Sequence, residues 1–85
     1  MHKLPVRRTF NIGNYESLSY EYVGEHEDLQ KARLIASKVI LEVAQQEMIR
    51  IFGVRASLMN SSPIEKFVWN QVVMELNGVN TELGS

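Results

Sequence analysis

The chain has no cysteine. That excludes disulfides, thiol nucleophiles and sulfur-ligated zinc or iron–sulfur sites, and it suits a reducing compartment. Histidine is nearly as scarce. His2 stands at the start, and His26 lies in the acidic run His26-Glu27-Asp28. Consecutive polar residues seldom converge on one ion, so this run reads as a solvated loop and no metal site is expected. No apolar stretch approaches the roughly 20 residues that a membrane span needs. Met1 to Arg8 also lacks the apolar segment of a secretory signal. A cytoplasmic protein with no membrane partner is the expectation. Strong charge is missing too: the formal net charge is −1, so no global field draws nucleic acid to the molecule.

Paired catalytic groups are equally absent from the pattern. Glu42 and Glu47 are five apart on a helical stretch and diverge, while Glu25 and Glu27 sit in a loop. Neither pair suggests a buried carboxyl with a raised pKa. Ser17 or Ser19, His26 and Asp28 assemble into a hydrolytic triad only on paper, because nothing positions a strained nucleophile or an oxyanion hole. Asn11-Ile12-Gly13-Asn14 has a single glycine and is a turn, not a phosphate cradle. No enzyme activity and no cofactor are expected.

What is present is a clear change of period. The chain has 85 residues, enough for one domain with a small core and a thin stability margin. Leu4, Val6, Phe10 and Ile12 alternate along residues 4–12, and Leu18, Tyr20 and Tyr22 alternate along residues 15–23. Period two predicts strands, and Gly13-Asn14 between them predicts a hairpin over about 4–23. To share one face, even positions must oppose even positions. A two-residue Gly13-Asn14 turn would pair 12 with 15 and break that parity, so an odd loop or a bulge is expected at 12–15. Arg8 then falls on the apolar face beside Leu18 and Tyr20, where it could reach past the sheet edge, stack on Tyr20 or pair with Glu16. Residues 1–15 carry Lys3, Arg7 and Arg8 with no acid, and residues 16–28 carry Glu16, Glu21, Glu25, Glu27 and Asp28 with no Lys or Arg, which predicts neutralisation across the hairpin.

The period then becomes helical. Leu29 to Phe52 contains neither glycine nor proline. Leu29, Ala32, Ile35, Ala36, Val39, Ile40, Val43 and Ile51 repeat at three and four, predicting an amphipathic helix over about 28–52, capped by Asp28 and ended by Gly53. Leu34, Leu41 and Met48 form a second row on another side, more apolar surface than one hairpin covers. Val54, Ala56 and Leu58 alternate and suit a short third strand. Ser62-Pro63-Ile64-Glu65 carries the spacing of a helix start. It predicts a helix over about 63–77 that buries Ile64, Phe67, Val68, Val72 and Leu76, ends at Gly78, and leaves 79–85 frayed. The fold class is α+β: a hairpin packed on a long helix, then a shorter helix.

These features point to interaction rather than chemistry. Leu34, Leu41, Met48, Trp69 and Met74 are the candidate oligomer interface, with a homodimer and an unidentified protein partner expected. The C-terminal helix covering the second row within the chain is the rival explanation. The alternative is a small DNA-binding or regulatory protein that presents Arg7, Thr9, Asn11, Ser17 and Ser19 from the outer face of the hairpin ribbon. One stretch carries a family likeness. Arg8-Thr9-Phe10-Asn11-Ile12-Gly13-Asn14-Tyr15-Glu16-Ser17, followed by a strand and a long helix, resembles a recurring short open reading frame of phages and mobile elements. The match is specific over about ten residues and loose through residue 52, and residues 53–85 fall outside it. The resemblance implies a viral or mobile-element origin, and hence a host cytoplasm. It carries over no functional residues.

Overall fold

The structure, a computed structural model, describes residues 1–13, 16–57 and 63–84, with the backbone alone at 54–57. Strand β1 (His2–Gly13) and strand β2 (Glu16–His26) form an antiparallel hairpin, followed by helix α1 (Leu29–Ser57) and helix α2 (Pro63–Gly84). The arrangement is α+β, with both strands packed on α1 and β1 also on α2.

The hairpin keeps the parity that its apolar residues require. Val6 opposes Tyr22, Arg8 opposes Tyr20 and Phe10 opposes Leu18. The register slips between Asn11 and Gly13, so the expected irregularity is a bulge in which Ile12 is the extra residue. Ile12 is buried. Gly13 beside it has φ +87°, a backbone region where a side chain is strained, and its N–H donates to Asn11 Oδ1 at 2.9 Å. The bulge thus turns the strand end while keeping Ile12 in the core. Asn14 lies outside the described residues.

Asp28 caps α1. Its Oδ1 accepts from the N–H of Gln30 at 2.9 Å, and its carbonyl accepts the first helical bond, from Ala32, also at 2.9 Å. His26 belongs to the same turn, its Nδ1 accepting from the Asp28 N–H. The buried line of α1 is Ala32, Ala36, Ile40, Leu41, Ala44 and Met48. Its N-terminal half is lined with alanine because the hairpin comes close there. A Cβ on Gly24 would stand 1.9 Å from the carbonyl oxygen of Ala32. Leu29 and Val43, expected on the buried face, are about half exposed, as is Tyr22 at the hairpin's margin.

Two expected helix ends move. Helix α1 does not stop at Gly53 but continues to Ser57, so residues 54–57 are helix and not part of a third strand; Leu58 lies outside the described residues. Ile51 and Phe52 pack on the core just before Gly53, which anchors that end of the helix. Helix α2 likewise passes Gly78 and holds 79–84, where a frayed tail was expected. Val79 packs on the core, continuing the spacing of Val72 and Leu76, and Thr81 Oγ1 donates to the Asn77 carbonyl at 2.9 Å. A glycine ends a helix only where the chain benefits from leaving it. Within a helix that packs on both sides of the glycine, its penalty is only about 1 kcal/mol relative to alanine.

Candidate functional site

Helix α2 has two apolar rows, and the structure decides between them. Val68 and Val72 are buried, and Leu76, Val79 and Trp69 pack on the core. Ile64, Phe67 and Met74 form the other row, with Gln71 in line. Phe67 is 69% exposed, Met74 73% and Ile64 49%. The expected burial of Ile64 and Phe67 is therefore corrected: the helix is rotated so that its valines face inward, and the aromatic is left outside.

The candidate interface residues separate accordingly. Leu41 and Met48 are fully buried in the core that α1 shares with the hairpin and α2. They are covered within the chain. Leu34 is half-buried. Trp69 is half-buried and packs on the core rather than standing off it. Met74 alone of the five is largely exposed, and Phe67 and Ile64 join it on the surface. Sequence reasoning missed these two because both fit an inward row by spacing. Val68, Val72, Leu76 and Val79 form a second apolar row at the same spacing, and spacing alone does not say which row faces inward.

A cleft of about 320 Å³ runs between residues Arg8 to Asn11 of β1 and Ile64, Phe67 and Gln71 of α2. Arg8, on its border, forms an ion pair with α2. Arg8 donates from Nη1 to Glu75 Oε1 at 3.1 Å and from Nη2 to Glu75 Oε2 at 3.0 Å. This fork is the geometry in which guanidinium and carboxylate bind most strongly. The guanidinium also lies 5.1 Å from the centre of the Phe10 ring, within cation–π range. Arg8 thus takes neither Tyr20 nor Glu16 as its partner. It ties the first strand to the last helix across 67 positions.

Phe10 and Tyr20 meet at 6.4 Å with their rings tilted by 54°. The Tyr20 hydroxyl is buried and has no hydrogen-bond partner among the described residues. Burial, and then the charge of Glu47, hold its pKa above the usual tyrosine value. A second hollow of about 420 Å³ lies between α1 and α2, lined by Met48, Ile49, Phe52 and Trp69 with Glu65 and Lys66 at its side. Glu65 is only 3% exposed and stands in the first turn of α2, where the helix dipole favours a carboxylate. Ser62, expected as the cap, lies outside the described residues.

The outer face of the hairpin carries the alternative's residues, Arg7, Thr9, Asn11, Ser17 and Ser19, all exposed. Their charge is largely cancelled. Arg7 opposes Glu21, Lys3 Nζ lies 4.0 Å from Glu25, and the Thr9 and Ser19 hydroxyls hydrogen-bond at 3.0 Å. Asn11 opposes Ser17. Elsewhere Arg50 pairs with Glu47, which holds the Glu47 pKa below the usual carboxylate value, mainly through the hydrogen bond from Arg50. Among the described residues, no three of His, Asp and Glu come together as metal ligands, and no helix is long and apolar enough to cross a membrane. No family model, curated protein or solved structure matches the chain.

Proposed function

We propose that this chain is a small, non-enzymatic interaction protein that works by self-association and by binding another protein, as an accessory factor of a phage or mobile element. One observation carries the interaction reading: the apolar row Ile64, Phe67 and Met74 stands exposed on a well-packed helix, beside the cleft that Arg8 borders. Exposed rows of this kind mark interaction surfaces, and a large aromatic is the side chain most often found at their centre. The accessory role rests on the likeness of Arg8 to Ser17 alone. A DNA-binding role for the outer hairpin face is the weaker reading, since Glu21 and Glu25 offset its basic residues.

Thermal unfolding across protein concentration tests this proposal. When folding and association are linked, the midpoint rises with concentration. The wild type should show that rise. Phe67→Glu should abolish it while the helical circular dichroism at low temperature stays intact, because position 67 lies outside the core. A wild-type midpoint independent of concentration contradicts self-association.

A further inference from the structure

The two-stranded sheet has the order β1–β2, so β1 has a second edge that no described strand pairs. Helix α2 packs on α1 and on β1, and not on β2. It therefore lies beneath that open edge. The cleft between edge and helix is bordered by four consecutive strand residues, Arg8 to Asn11, and successive strand residues point to opposite faces. The edge itself, not only the inner face, thus looks onto the exposed row of α2.

We infer that the chain is a two-fold dimer in which β1 pairs with β1 of a second copy, joining the two hairpins into one four-stranded antiparallel sheet with α2 against α2 beneath it. This rests on the self-association reading and names its occupant and geometry. One operator meets both needs. A two-fold axis perpendicular to the sheet sets β1 antiparallel to its copy and α2 antiparallel to its copy, and gives the same contacts to both chains. Phe67 and Met74 are equally spaced about the Asn70–Gln71 peptide. An axis there lays Phe67 of each chain on Met74 of the other, a favourable sulfur–aromatic pairing made twice.

The strand centre coincides. Thr9 and Gln71 border the same cleft. An axis at Thr9 sets Arg7 opposite Asn11, and Arg8 opposite Phe10, of the second copy. Axes at 7 or 8 would set arginine against arginine, which is unfavourable across strands. Pro5 agrees with this edge, because a proline in a sheet belongs where its missing N–H faces outward. That places the backbone groups of Arg7, Thr9 and Asn11, of the same parity, on the open side.

The amount of surface agrees as well. The chain exposes 5814 Å², whereas a compact monomer of this mass exposes about 5,200 Å². The excess, about 600 Å², approaches the roughly 800 Å² that each partner contributes to a standard interface.

The test is cysteine crosslinking, which the cysteine-free sequence makes unambiguous. Thr9→Cys should be converted to a covalent dimer by a mild oxidant or the shortest bis-maleimide. Ser19→Cys, also outward but on β2, would stand about 14 Å from its counterpart, three strand spacings away, and should not form a disulfide. In a second arm, mixed Phe67→Cys and Met74→Cys chains should crosslink to each other more readily than either does alone. If the protein is dimeric by sedimentation but Thr9→Cys stays uncrosslinked, or Ser19→Cys links equally well, the edge-paired geometry is overturned and self-association stands. A protein that remains monomeric at every concentration overturns both.

Discussion

At the residue scale, two half-buried polar side chains behave in opposite ways. Arg8 is on the apolar face of the hairpin, and the fork from Glu75 with the face of Phe10 satisfies it there. Tyr20, directly opposite Arg8 in the register, buries a hydroxyl that nothing among the described residues accepts. An unpaired buried hydroxyl costs about 1–3 kcal/mol in desolvation. Removing it with Tyr20→Phe, which keeps the ring against Phe10, should leave stability unchanged or raise it by about 1 kcal/mol. The pH dependence has a defined sign. A tyrosine whose folded-state pKa lies above its unfolded value contributes stability that is intact below about pH 10 and is lost as pH rises through the folded value. Urea unfolding from pH 8 to 11 should therefore fall less steeply for Tyr20→Phe than for the wild type. A destabilisation at neutral pH would mean that the hydroxyl has a partner.

At the scale of elements, the closest approach is that of β2 to α1. Gly24 sits where a methyl group would meet the backbone of Ala32 at 1.9 Å and the Ala36 methyl at 3.1 Å. Backbone cannot yield as a flexible side-chain tip can, so Gly24→Ala must push the hairpin off the helix. Overpacking costs about 1–3 kcal/mol, occasionally more, and a backbone clash belongs at the upper end. Chemical denaturation should show a loss of at least about 2 kcal/mol; a neutral result would show that strand and helix do not meet at this spacing. The elements also show how far the pattern could be read. Period two, the even-on-even parity and the need for an odd loop or a bulge at 12–15 followed from where Val6, Phe10, Leu18 and Tyr20 stand; that it is a bulge came from the structure. Asp28 was legible as a cap because capping chemistry is local. The rotation of α2 was not legible. Ile64–Phe67–Met74 and Val68–Val72–Leu76 are both apolar rows at helical spacing, and only packing against α1 and β1 chooses. Nor was the Arg8–Glu75 pair, since nothing local marks partners so far apart in sequence. Gly53 and Gly78 misled for the reverse reason: each is a local stop signal, yet α1 runs on to Ser57 and α2 to Gly84, and beyond Gly78 it is Val79 that packs on the core.

At the scale of the whole molecule, the chain is long and thin, 47 × 24 × 16 Å. Its radius of gyration is 14.3 Å, against about 12 Å for a compact domain of this length. Helix α1 alone sets that length, and one hairpin is too small to round it off. A single hairpin is also marginal as a sheet, and an open edge invites pairing. The proposed dimer would answer both at once, with a four-stranded sheet over four helices in which Phe67 and Met74 are covered. Sedimentation equilibrium of the unmodified protein from low to high micromolar concentration tests this most directly. The account predicts a mass of twice 9.8 kDa, giving way to monomer only on dilution. A mass of 9.8 kDa across the whole range would contradict it and leave the α2 row uncovered by any copy of the chain.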